Sequence, residues 1–206
     1  MKALLALHGS DDAWSDQPPL LKLLHTGLLS VFGTDISVLR ALEVCFSAAL
    51  LMSLWAILGR VSGKVAGVVA IVLLGLSSDY LKLSAACLVG MPACAWAMLA
   101  CACLVSRAGS RPQIWVPLSG FLLGLGAQTK MSALLVLPAI LAWLWWLRKT
   151  CKECPWSRGH VILHWLIGFL ISFLGILFMS PQSLTSIASA HWGSATSSPL
   201  KNVSMF

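Results

Sequence analysis

Charged residues are scarce in this chain. Only 10% of its 206 residues are charged and 58% are hydrophobic, whereas a soluble domain carries about 25% charged residues. The sequence also has no Walker phosphate loop, no GxGxxG fingerprint, no GxSxG elbow and no HExxH metal motif. These absences exclude the common soluble-enzyme chemistries, and the composition predicts an integral membrane protein.

Apolar runs predict an all-α, polytopic transmembrane bundle of about six spans, since crossing the hydrocarbon core takes about 20 residues. The runs are 41–59, 65–78, 83–105, 113–128, 131–147 and 161–179. Basic residues crowd one set of alternate loops and aspartates the other, which predicts their cytoplasmic and external sides, respectively. The predicted organisation is an external loop with an interfacial helix (1–36), a transmembrane domain (37–179) and an external tail (180–206).

The segment before the first span combines polar residues, two prolines and an amphipathic run. Proline is accepted in the first turn of a helix, so a helix is expected from about Pro18 to Phe32, ended by Gly33. Asp16 and Gln17 then lie at its positive N-terminal end. Helix N-termini bind anions, so this is a candidate position for a phosphate-bearing ligand or a catalytic carboxylate.

Two groups of polar residues interrupt the apolar runs. Arg40 and Glu43 have the spacing of an i,i+3 ion pair, and either a structural pair or a functional site fits them. Thr129 and Lys130 follow Gln128 between two runs, where Lys130 either snorkels to the surface or receives a lipid phosphate.

Other features favour structural roles. Pro92 is expected to kink a span, and Gly120 and Gly124 form a small-xxx-small pattern typical of close helix packing. Of the seven cysteines, those within the third run favour packing. Cys151 and Cys154 precede two histidines, but the spacing favours inert thiols over a zinc site. No cofactor is identified, and a divalent metal is left open.

The motifs QPPL at 17–20, LR at 39–40 and GFLLGLGAQTK at 120–130 carry a likeness over about 14–147. The chain resembles the dolichyl-phosphate-mannose–protein mannosyltransferase superfamily, which includes bacterial aminoarabinose and galacturonosyl transferases. The resemblance implies a GT-C fold and transfer of a sugar from a polyprenyl-phosphate donor to a lipid, glycan or protein acceptor. Independently of the resemblance, the short loops and the cysteines on the predicted cytoplasmic side favour a multi-pass protein of the bacterial inner membrane.

By the same resemblance, Asp16 matches the acidic residue often found before the Pro-Pro step and is the expected catalytic residue, which orients the acceptor or a metal. Gln17 stands where relatives often have Lys or His. Arg40 and Lys130 match the arginine that opens a span and the lysine of the TK motif, and together with Gln17 and Thr129 they are expected to bind the donor phosphate or the substrate. Membrane lipids and the lipid-linked donor are the expected partners, and nucleic acid is not.

The resemblance also predicts features that this sequence does not contain. A first span and an acidic general base would precede the QPPL motif, and an acidic residue would precede Pro92, where the chain has Gly90-Met91. The external N-terminus without a signal peptide likewise predicts an upstream span, so the chain is expected to be part of a longer enzyme or to have a mis-assigned start. The alternatives are a non-catalytic membrane scaffold and a secondary transporter with broken helices.

Overall fold

The computed structural model describes residues 20–33, 35–85, 90–107, 111–150 and 160–179, and within these ranges all regular structure is helical. The elements are α1 (Leu20–Phe32), α2 (Ile36–Val61), α3 (Lys64–Gly75), α4 (Ser78–Ala85), α5 (Gly90–Arg107), α6 (Pro112–Thr129), a 3-10 helix (Met131–Val136), α7 (Leu137–Thr150) and α8 (His160–Met179).

The expected amphipathic helix is confirmed over Leu20–Phe32. It ends where Gly33 adopts φ +89°, a left-handed conformation that favours glycine, with the Gly33 N–H donating to Leu29 O at 3.1 Å. Asp35 then caps α2, accepting a 3.0 Å hydrogen bond from the Ser37 N–H. Hydrogen bonds from Ser37 lower the pKa of the Asp35 carboxyl from its ordinary 3.8.

The helices pack in the order α8, α6, α5, α2, α3, so that α5 and α6 lie in the middle. Small residues line one face of α5 at alternating four- and three-residue spacing: Ala93, Ala97 and Ala100, followed by Leu104. This small face lets α6 approach closely, and Leu123 of α6 is fully buried against the cluster.

Glycines bring α6 and α8 into backbone contact. A Cβ built on Gly120 would lie 2.1 Å from Trp165 O, and one on Gly168 would lie 2.0 Å from Pro117 O. Gly124 likewise faces α8, so the predicted small-xxx-small packing is confirmed.

The described part of the third apolar run contains α5, which begins at Gly90. Residues 86–89, between α4 and α5, lie outside the described residues, so the kink expected at Pro92 stays a prediction. A further proline, Pro117, lies inside α6.

Within the described ranges, α2 alone is long and apolar enough to cross a membrane by itself. Helix α3 and most of α4 qualify together as a second span, but they are bent by 72°. The other apolar helices are shorter, so the six-span prediction is not confirmed. Bulky apolar side chains nevertheless cover the outer faces of α2, α3 and α8, a surface suited to lipid.

Candidate functional site

The predicted phosphate-binding lysine lies at a break between two helices. Helix α6 ends at Thr129, and Lys130 adopts an extended conformation (φ −158°, ψ 130°) before the 3-10 helix starts. Its backbone is held on both sides, because its N–H donates to Gly126 O and its carbonyl accepts from Ala133 N, each at 2.9 Å. The side chain is exposed, so a backbone held by two hydrogen bonds presents an exposed ammonium at the end of α6.

Thr129 has a different environment from its neighbour. It is fully buried, and its hydroxyl donates to Leu125 O of its own helix at 3.0 Å. Gln128 is also buried, and its Nε2 donates to Phe173 O of α8 at 2.7 Å. These two polar side chains are therefore already hydrogen-bonded, and Lys130 is the member of the Gln-Thr-Lys group available to a ligand.

Four residues on four elements join the end of α6 to the first half of α2; we call them the aromatic layer. Phe46 of α2 packs edge-to-face on Trp96 of α5, with ring centroids 5.4 Å apart. A Cβ built on Gly126 of α6 would lie 3.2 Å from the Trp96 Cβ and 3.1 Å from the Cβ of Ala133 in the 3-10 helix. The layer thus places this part of α2 level with the end of α6.

The spacing of Arg40 and Glu43 does not produce an ion pair. Glu43 is 0% exposed, and neither of its carboxylate oxygens has a hydrogen-bond partner among the described residues. Arg40, one turn nearer the start of α2, is exposed. The pair fails because the two side chains point in different directions, one into the bundle and one out of it.

Helix α1 packs against both α2 and α6, the two helices that end or begin near Arg40 and Lys130. Leu21 is its buried anchor. Partial burial lowers the pKa of the His25 imidazole, and the buried Nε2 of His25 has no hydrogen-bond partner in the described structure. Asp16 and Gln17 lie outside the described residues, as do Cys151 and Cys154.

The two histidines of the candidate zinc motif contact each other on α8. The Nδ1 of His164 lies 2.7 Å from the His160 carbonyl oxygen, and the rings are edge-to-face at 6.2 Å. In the described part of the chain, no three His, Cys, Asp or Glu side chains are grouped so that they could hold a metal ion.

Sequence reasoning missed the aromatic layer and the isolation of Glu43. Phe46 and Trp96 stand in apolar runs whose composition gives no sign of a contact between them. The one sequence feature that pointed to this region was Glu43 itself, because an acidic residue well inside an apolar run has to be paired, be neutralised or take part in function.

Over the described ranges, these features define a helical protein with an apolar outer surface and a lysine whose backbone is held at a helix break. A family model described as dolichyl-phosphate-mannose-protein mannosyltransferase matches residues 16–182, most of the chain. The chain therefore belongs to this family, whose members are membrane glycosyltransferases of the GT-C type. No curated protein and no solved structure gives a significant match.

Proposed function

We propose that this protein transfers a sugar from a polyprenyl-phosphate donor to a lipid, glycan or protein acceptor on the outer face of a membrane. The observation that carries the proposal is the family match, which covers the positions of Asp16, Arg40 and Lys130 together. Within the family we favour the bacterial enzymes that transfer aminoarabinose or galacturonic acid, in the inner membrane, with a multi-pass topology.

Lys130 is the proposed donor-phosphate ligand. Its ammonium is exposed while the residues on its α6 side are buried, so it stands at the edge of the packed bundle. A compact cation in that place stabilises the negative charge that the departing lipid phosphate gains during transfer. Arg40 is proposed as a second cation for the same phosphate, since α1 packs against both helices that carry them.

Asp16 and Gln17 are proposed to complete the site from the segment that leads into α1. Transfer with inversion needs a carboxylate close to the acceptor hydroxyl, because the hydroxyl must lose its proton as it attacks. We assign Asp16 to orienting the acceptor and Gln17 to hydrogen bonding with the substrate. Thr129, buried and bonded within α6, supports Lys130 by fixing the end of the helix.

The proposal predicts that Lys130→Ala abolishes sugar transfer while membrane expression stays unchanged. The measurement is transfer of radiolabelled sugar from a polyprenyl-phosphate donor in membranes containing the full protein. Lys130→Arg should keep part of the activity, because it keeps the charge. Lys82→Ala, at an exposed lysine of α4, is the matched control and should retain full activity. Full activity of Lys130→Ala would refute the assignment.

The alternatives make different predictions in the same membranes. A non-catalytic scaffold would bind a partner without any affinity for the donor lipid. A secondary transporter would move solute into liposomes without labelling an acceptor; the discontinuity between α6 and the 3-10 helix is the feature that such a protein would use.

A further inference from the structure

Glu43 is a carboxyl group whose role the proposed phosphate site does not explain. It is 0% exposed and has no hydrogen-bond partner on either oxygen among the described residues. A buried polar group without a partner loses its hydration and gains no hydrogen bond in exchange, so such groups are rare in folded proteins. A carboxyl retained here is expected to meet a partner in some state of the protein.

The nearest hydroxyls along α2 are not available to Glu43. One turn further on, the hydroxyls of Ser47 and Tyr80 of α4 bond to each other, and the Tyr80 O–H also lies 2.8 Å from the Ser47 carbonyl oxygen. Both residues are buried and mutually satisfied. These two hydroxyls therefore do not take up the hydrogen-bonding capacity of Glu43.

A second unpartnered group lies in the same interface. The indole Nε1 of Trp96 is buried and has no acceptor in the described structure. Its ring contacts Phe46, which is less than one turn from Glu43 on the inward side of α2. On the side of α2 that faces the bundle, a carboxyl group and an indole N–H therefore both lack a partner among the described residues, beside an aromatic ring.

The chemistry of these groups selects the class of ligand. An ammonium ion would offer nothing to the indole N–H, and the phosphate of the donor is already assigned to Lys130. A hydroxyl group both donates and accepts, so it can satisfy either group. A ring with several hydroxyls and an apolar face also fits beside Phe46 and Trp96.

The position of the interface favours the donor sugar over the acceptor. Trp96 contacts Gly126, and Lys130 follows Gly126 by four residues. Four helical residues correspond to a rise of about 6 Å along the axis of α6. In a glycosyl phosphate the sugar is bonded directly to the phosphate oxygen. A phosphate at Lys130 would thus bring its sugar to the level of Trp96 and Glu43.

We propose that Glu43 and Trp96 form an occluded subsite between α2 and α5 that binds hydroxyl groups of the donor sugar. The subsite rests on the proposed function. It is closed in the structure, and it opens by separation of α2 from α5 when the donor enters.

The first test labels Glu43 with dicyclohexylcarbodiimide, an apolar reagent for protonated carboxyl groups in membranes. The carboxyl oxygen bonds to the central carbon while the proton moves to a reagent nitrogen, and acyl migration then gives a stable N-acylurea that mass spectrometry locates. Glu43 should be labelled in the full protein in membranes, and Glu43→Gln should lose that label. Absence of label at Glu43 would show that the interface does not open and would overturn the proposal.

The second test is protection from this label by ligands, which requires no turnover. Polyprenyl phosphates carrying mannose, aminoarabinose or galacturonic acid are compared with the same polyprenyl phosphate without sugar. At least one glycosylated lipid should protect Glu43 while the bare phosphate does not. Equal protection by the bare lipid, protection by acceptor alone, or no protection at all would each refute a donor-sugar subsite.

The third test separates this subsite from the transfer reaction and from a buried water. Trp96→Phe keeps the ring but removes the N–H, and it should weaken protection about tenfold, as the loss of one hydrogen bond predicts. Trp55→Phe, at an exposed tryptophan of α2, is the control. Unchanged protection in Trp96→Phe would mean that a water satisfies the indole. Protection without any sugar transfer would instead refute the proposed function and leave the subsite standing.

Discussion

Replacing Gly168 by alanine is expected to destabilise the protein strongly, because α6 and α8 touch through their backbones there. The added Cβ would lie 2.0 Å from Pro117 O and 2.8 Å from Pro117 C. A normal carbon–oxygen contact is about 1 Å longer, and neither backbone atom can rotate away. The helices must therefore separate by about 1 Å, which forfeits up to half of each dispersion contact along the seam. The expected cost is about 1–3 kcal/mol, the usual range for overpacking a core.

The matched control lies on the same helix. A Cβ on Gly175 has nothing within 4 Å, so Gly175→Ala removes a flexible residue without a clash. It should leave stability unchanged or raise it by up to about 1 kcal/mol. The assay is reversible unfolding in mixed micelles by titration with SDS, followed by circular dichroism. Equal midpoints for the two variants would show that the α6–α8 contact is looser than described and would refute the reasoning.

Two further predictions concern single hydrogen bonds. Gln128→Leu removes the donor to Phe173 O and should lower the free energy of unfolding by about 1 kcal/mol in the same assay. Gln113→Leu, at the exposed start of α6, is the control and should leave that free energy unchanged. Equal effects of the two substitutions would contradict a specific hydrogen bond. Asp35 caps α2 as a carboxylate with a lowered pKa, so its contribution is full above its ordinary pKa of 3.8 and is lost as the pH falls through the lower folded value. Asp35→Asn, which can still cap, should therefore remove part of the acid sensitivity of the protein; an unchanged pH profile would disprove the role.

Local patterns predicted local structure well. The prolines and leucines before the first span predicted α1, the glycine at 33 predicted its end, and the spacing of Gly120 and Gly124 predicted the contact with α8. Each of these features is decided by residues close in sequence. Gly168 was missed because an isolated glycine in an apolar run has no signature, and its partner Pro117 lies on another helix.

Predictions that depended on which side of a helix faces the bundle, or on the length of an apolar run, were less accurate. The i,i+3 spacing of Arg40 and Glu43 allowed an ion pair, but spacing does not determine which side of α2 faces the bundle. Apolar runs predicted about six spans, but within the described ranges α2 alone is long and apolar enough to cross a membrane by itself. The placement of Lys130 at a helix break was anticipated by three consecutive polar residues, and its proposed phosphate ligand stays a prediction.

The bend between α3 and α4 has a consequence for the membrane itself. Helix α3 has 12 residues and is about 18 Å long, and α4, turned by 72°, adds about 4 Å along the same axis. A bilayer has about 30 Å of hydrocarbon, so α3 and α4, taken together as one bent span, are too short to cross it. If this pair is a span, lipids beside α3 must compress, or their head groups must sink toward the polar residues of α4. The bilayer is therefore expected to be thinnest at the flank where Ser47 and Tyr80 join α2 to α4. There a lipid-borne head group would have the shortest distance to travel from the membrane surface to the interior of the bundle.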